Sequence, residues 1–134
     1  MNSKSLILLV DDDPDDLMLL KDAIDSLGGN YQFIEAYDGR SALNLLRQSN
    51  LDGNLPVLVV LDINMPILDG REMLAIMKSD PELKELASVV FTTSSNPGDI
   101  NYCRQFNVQL FTKPFNITML KDVASQIISY CKEN

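Results

Sequence analysis

Val59-Val60-Leu61-Asp62-Ile63-Asn64-Met65-Pro66 is the stretch from which the fold can be read. The apolar run from Val57 to Leu61 ends in a single carboxylate, and a Met-Pro pair soon after it stops regular structure. Such a run, rich in β-branched valine, predicts a strand buried on both faces. An ionised aspartate in mid-strand would cost several kcal/mol. Asp62 is therefore expected at the strand's C-terminal end, facing a crevice. The chain opens the same way, with Leu6 to Val10 running into Asp11-Asp12-Asp13. Two buried strands that deliver carboxylates to one edge of a sheet predict a small acidic pocket.

Outward from that stretch, strand and helix patterns alternate. Strands are expected at Ser5–Val10, Tyr31–Ala36, Val57–Leu61, Ser88–Thr92 and Val108–Thr112. The first helix runs from about Pro14, whose fixed φ suits a first turn, to Leu27, where Gly28-Gly29 ends it. The second opens at Asp38-Gly39 and reaches about Arg47, leaving Gln48–Pro56 as a polar loop. The third begins at Asp69, which has capping-box spacing with Glu72, and ends near Ser79. A short turn at Asp80–Lys84, a fourth helix over Pro97–Phe106 and a fifth from Asn116 to about Cys131 complete the pattern. Alternation with short loops implies a parallel sheet with helices on both faces. For five strands the flavodoxin-like order 2-1-3-4-5 centres the two most apolar strands and leaves the more polar Tyr31–Ala36 at an edge. That order sets Asp11 and Asp12 beside Asp62, at the switch point where such sheets carry ligands.

Composition limits the function. With 134 residues the chain is expected to be one domain, residues 1–134, with no linker to an output domain. A net charge of −8, from 19 acids and 11 bases, offers no basic patch for nucleic acid. No apolar run approaches the length of a membrane span, and no leader pattern is visible, so a cytoplasmic protein is expected. The absence of histidine removes His-based triads and most zinc sites. Cys103 and Cys131 fall inside helical patterns and are expected to be reduced and packed.

Asp11, Asp12 and Asp62, drawn together, would repel one another unless a cation joined them. Oxygen-only ligands select a hard ion, Mg²⁺ first. Mg²⁺ held by so few carboxylates keeps open positions for a phosphoryl oxygen, and a carboxylate can act as the acceptor. Two further strand ends supply groups able to neutralise phosphoryl charge: the Thr92-Thr93 hydroxyls and the Lys113 ammonium. Each feature alone has a plainer reading. Aspartates favour the first turn of a helix, and Asp15 and Asp16 are expected to do only that. Thr92 suits a strand, and a terminal lysine is usually solvated. Together, each closing a different strand, they point to phosphoryl chemistry.

The same residues carry a resemblance. The chain resembles, over essentially its whole length, the receiver domain of two-component response regulators. The matching motifs are Leu8-Leu9-Val10-Asp11-Asp12, Leu61-Asp62-Ile63-Asn64-Met65-Pro66 with Asp69-Gly70, Phe91-Thr92-Thr93-Ser94, and Lys113-Pro114-Phe115. The resemblance implies that Asp62 accepts a phosphoryl group from a histidine kinase. It implies Mg²⁺ bound by Asp12 directly, by Asp11 through water, by Asp62, and by the backbone carbonyl of Asn64. Thr92 matches the switch hydroxyl, chosen over Thr93 because the residues after it fit the family's loop. Lys113 matches the phosphate-pairing lysine, and a cis Lys113–Pro114 bond is implied. The family's aromatic switch position is Leu110 here. Gly70-Arg71-Glu72, Ser79–Glu85 and Thr92-Thr93-Ser94-Ser95 look like stand-alone receivers associated with phytochrome-type kinases. That likeness implies an unnamed downstream protein met through the fourth helix, fifth strand and fifth helix, and a homodimer.

Two rivals belong to other classes. A Mg²⁺-dependent phosphatase with an aspartyl nucleophile would carry a second acid two residues beyond it, where this chain has Asn64. A phosphorylation-independent interaction module would not need all five groups.

Overall fold

In a computed structural model, which describes residues 4–94 and 96–131, the elements follow the expected alternation. They are β1 (Ser5–Val10), α1 (Pro14–Asp25), β2 (Tyr31–Ala36), α2 (Gly39–Leu51), β3 (Leu58–Leu61), α3 (Gly70–Ser79), β4 (Ser88–Thr92), α4 (Pro97–Gln105), β5 (Gln109–Thr112) and α5 (Ile117–Ile128). All strand pairs are parallel, in the order β2-β1-β3-β4-β5. Ser95, one residue of the matched loop, lies outside the described residues.

Strand alternation sends successive side chains into two cores. Leu8, Val10, Val59, Leu61 and Val90 meet Ala42, Leu46, Met73, Met77 and Cys103 from α2, α3 and α4. Ile7, Leu9, Leu58, Val60, Val89 and Phe91 meet Leu17, Leu20, Ile24, Leu120 and Ile127 from α1 and α5. β1 from Leu6 onward and β3 throughout are therefore apolar, because both of their faces are covered. Cys103 belongs to the first core and Cys131 borders the second, so the sheet separates them.

Element ends depart from expectation where polar residues outlive the apolar stripe. α2 continues through Gln48-Ser49-Asn50 to Leu51, which is 80% exposed. This last turn touches no core, so no periodicity announced it; Gln48 Nε2 donates to Asp52 Oδ1 at 3.1 Å along its surface. α1 stops at Asp25 and α5 at Ile128, short of Leu27 and Cys131. Beyond each, the chain keeps tighter three-residue hydrogen bonds, such as Leu27 N to Ile24 O and Cys131 N to Ile128 O, both 3.0 Å. β3 and β5 each begin one residue late, at Leu58 and Gln109. The Lys113–Pro114 bond is trans, as are all described bonds, against the implied cis form. Trans is the lower form of an X–Pro bond by about 0.5–1 kcal/mol.

The ladder positions the site. In register, Val10 sits between Ala36 and Leu61, and Thr92 faces Thr112. Pairing then runs one residue beyond the strands: Asp11 N donates to Ala36 O at 3.0 Å, Asp62 N to Val10 O at 2.9 Å and Lys113 N to Thr92 O at 2.7 Å. Three of the residues singled out from the sequence are thus anchored by backbone at one edge.

Candidate functional site

Asp11 and Asp62 are buried beyond the C-terminal ends of β1 and β3, and Asp12 beside them is exposed. One carboxylate oxygen from each lies within 4.8 Å of the others. Each buried carboxylate is oriented by its own backbone. Asp11 Oδ1 accepts from Asp13 N at 3.0 Å, and Asp62 Oδ1 accepts from Ile63 N at 2.7 Å. Their Oδ2 atoms share the Lys113 ammonium, at 2.7 Å for Asp11 and 3.1 Å for Asp62. A third carboxylate, Asp16 of α1, takes the same ammonium at 2.8 Å.

The electrostatics follow from burial and crowding. Burial pushes the Asp11 carboxyl above the usual carboxylate range; the hydrogen bond from Lys113 opposes this and the charge of Asp62 adds to it. Burial alone would lower the Lys113 ammonium, but hydrogen bonds to Asp11 and Asp16 outweigh it and hold the lysine charged. Three carboxylates around one ammonium leave net negative charge before Asp12 is counted. An all-oxygen donor set of this charge and spacing fits a divalent hard cation, with Asp11, Asp12 and Asp62 as ligands.

Thr92 is fully buried at the end of β4, whereas Thr93 is exposed. Its Oγ1 accepts from Ser94 N at 3.4 Å, a long bond that costs little to release. From there a polar relay leads away from the pocket. Ser94 Oγ donates to Asp99 Oδ2 at 2.6 Å on α4, and Asp99 pairs with Arg71 Nη1 of α3 at 3.6 Å. The Arg71 guanidinium also lies 4.3 Å from the Tyr102 ring centroid, and the Tyr102 hydroxyl donates to Arg71 O at 2.8 Å. Leu110 lies half-buried against the same core as Tyr102, while Phe111 belongs to the opposite one.

The loop after Asp62 closes the crevice. Met65 and Leu68 are buried, Asn64 is exposed, and Ile67 has a left-handed backbone with φ 68°. Asp69 caps α3 with the expected box, its side chain accepting from Glu72 N at 2.9 Å.

The structure thus brings together Asp11, Asp12, Asp62 and Lys113, and sets Thr92 at the neighbouring strand end, with Asn64 in the loop between. Sequence reasoning missed Asp16, which was given only a helix-terminus role. Its signal was available: Asp16 precedes buried Leu20 by four residues, so it shares that inward face of α1 one turn nearer the pocket. The relay through Asp99, Arg71 and Tyr102 had no such signal.

The Response regulator receiver domain model matches residues 7–125. The response regulator Rcp1 of Synechocystis sp. is 34% identical over 98% of this chain and 92% of its own length. The phosphorylated cyanobacterial phytochrome response regulator RcpA superposes with a TM-score of 0.86 at 33% identity, over 96% of this chain and 94% of its own. The Mn²⁺-bound form of Rcp1 does so with a TM-score of 0.83, also at 33% identity, over 94% and 93%. With this fold, these strand-end residues and likeness over nearly its full length, the chain belongs to the response regulator receiver domain family and is a relative of the phytochrome response regulators.

Proposed function

We propose that Asp62 accepts a phosphoryl group from the phosphohistidine of a histidine kinase in a Mg²⁺-dependent reaction. The observation that carries this reading is one cluster: the oxygens of Asp11, Asp12 and Asp62 within 4.8 Å, with Lys113 bonded to the buried Asp62. In this reading a Asp62 carboxylate oxygen attacks phosphorus, the bond from phosphorus to the imidazole nitrogen breaks, and its electron pair leaves with the imidazole. Asp11, Asp12, Asp62 and the Asn64 carbonyl would hold the cation, which would supply charge neutralisation on the phosphoryl oxygens. The Ile63 amide keeps Asp62 Oδ1 oriented. Lys113 pairs with the incoming phosphoryl charge, and Thr92 turns its hydroxyl from Ser94 N to a phosphoryl oxygen.

The protein acts as a regulator rather than as a turnover enzyme, because Asn64 stands where a phosphatase of the aspartyl-nucleophile class carries its second acid. The added phosphate brings about −1.5 to −2 charge. Its effect is read by a downstream protein, or by a second copy of this chain, at the face of α4, β5 and α5. Signalling as a stand-alone receiver, from a kinase of the phytochrome type, is supported by the Rcp1 and RcpA relatives, and the cytoplasm is the compartment we assign to it.

Incubation with acetyl phosphate and Mg²⁺, followed by intact-mass measurement, tests the chemistry. One phosphate per chain is expected, dependent on Mg²⁺ and absent in Asp62→Asn. A chain that stays unlabelled while a known receiver labels beside it would overturn the assignment.

A further inference from the structure

Asp16 is the one carboxylate on Lys113 that belongs to neither strand end carrying the acid cluster. It sits at the third position of α1, where the free amides are already served: Asp13 caps the helix by accepting from Asp15 N at 3.0 Å and Asp16 N at 3.4 Å. The Asp16 carboxylate is therefore not needed for the cap, and its Oδ2 takes Lys113 Nζ instead, at 2.8 Å. The three carboxylates differ in setting. The side chains of Asp11 and Asp62 are 6% and 8% exposed, and that of Asp16 is 33% exposed. Asp16 also borders two adjoining clefts, one containing Asp11 and Asp62, the other formed by Leu19, Phe91, Lys113, Pro114 and Leu120.

This arrangement bears on a competition built into the pocket. Lys113 occupies Oδ2 of both Asp11 and Asp62, two of the carboxylates placed to hold a divalent cation. Cation and ammonium repel at such distances, so binding of the ion requires Lys113 to give up at least one of these oxygens. The lysine side chain is only 10% exposed, and a buried ammonium that loses its partners is costly. Asp16 resolves this because it already holds the ammonium from the α1 side, next to an open cleft.

We infer that Asp16 is a positioning residue, which keeps Lys113 partnered when a divalent cation takes Asp11 and Asp62 and so favours binding of the ion. The inference rests on the proposed metal-dependent receiver chemistry and adds a role for a residue outside the acid cluster. Its energetic signature is non-additivity. Without the ion, Lys113 has three carboxylates, and losing one leaves two. With the ion bound, Asp16 is the partner least in competition, and losing it leaves the ammonium at most one carboxylate, contested by the ion. Removing Asp16 therefore penalises the bound state more than the free state, but only while Lys113 is present.

Calorimetric titration of the full chain with Mg²⁺ tests this in a double-mutant cycle. Asp16→Asn is expected to weaken Mg²⁺ about tenfold when Lys113 is present and less than about twofold in Lys113→Gln, with Asp16→Glu restoring affinity to within about threefold. Asp16→Ala, checked for a cooperative unfolding transition, repeats the comparison with the side chain removed. An Asp16→Asn chain with unchanged affinity, or one weakened by the same factor with and without Lys113, would overturn the inference; the second result would reduce Asp16 to a through-space charge. Failure of the wild-type chain to bind Mg²⁺ or to accept phosphate would instead overturn the receiver chemistry itself, so the two failures are distinguishable.

Discussion

Ile67 adopts φ 68° in the loop after Asp62, a conformation that a β-branched residue reaches only under strain. Its side chain is 77% exposed and so recovers little by packing. Replacement by asparagine, which tolerates this region, is expected to raise unfolding stability by about 1 kcal/mol. Urea titration would show a higher midpoint at an unchanged slope; an unchanged midpoint would mean that the loop stores no strain at this residue. Nothing in the sequence marked the strain, because Pro66-Ile67 announces a turn without its type. The acceptor and its partners were legible for a different reason. A lone carboxylate closing an apolar strand is an expensive exception to burial, so Asp62 stands out against Leu61, while Lys113 stands out as a basic residue at a strand end. Asp16 did not stand out, because a carboxylate in the first turn of a helix is ordinary. Only the ammonium arriving from β5 gives it a second use.

Among the elements, α3 is fixed to the acceptor strand at its first residue. Gly70 N donates to Ile63 O at 2.8 Å, and a Cβ at this position would lie 2.1 Å from the Asp62 carbonyl oxygen and 2.7 Å from Ile63 Cα. Both obstacles are backbone, which cannot rotate away as a side chain can. Gly70→Ala is therefore expected to cost about 3 kcal/mol, at the upper end of overpacking effects. It is also expected to slow phosphate incorporation, because relief requires moving the residue that carries the acceptor. Unfolding and acetyl phosphate labelling of the same preparation check both; a stable, normally labelled variant would show that α3 can slide without disturbing Asp62. The start of α3 was readable from Asp69 and Glu72, since a capping box is a local signal. The end of α2 was not, because Gln48-Ser49-Asn50 are polar and at most half-buried, so a helix there obeys only weak propensity. Likewise the contact between α3 and α4, through Arg71, Asp99 and Tyr102, joins residues about 30 apart in the chain. No periodicity within either helix carries such a pairing.

For the molecule as a whole, strand order was legible because burial differs so strongly between strands. β1 is apolar from Leu6 onward and β3 throughout, so both must lie inside, whereas Gln32 and Glu35 suit β2 to an edge. That order also gathers acid at one end of the sheet, since Asp11, Asp12, Asp13, Asp15 and Asp16 follow β1 directly and Asp62 closes β3. The pocket thus sits in the field of a chain whose net charge is −8, with Lys113 as the basic residue bonded inside it. A small anionic phosphodonor must approach against this field, and bound Mg²⁺ offsets only two of the charges. Repulsion of this range is screened as the Debye length falls from about 30 Å at 0.01 M salt to about 8 Å at 0.15 M. With Mg²⁺ kept saturating, the rate of labelling by acetyl phosphate is therefore expected to rise about threefold or more across that range of monovalent salt. The direction is diagnostic, because salt weakens attraction as readily as repulsion. A rate that falls with salt would mean that the cation and Lys113 dominate the field felt by the donor, and that the surrounding aspartates act only within the pocket.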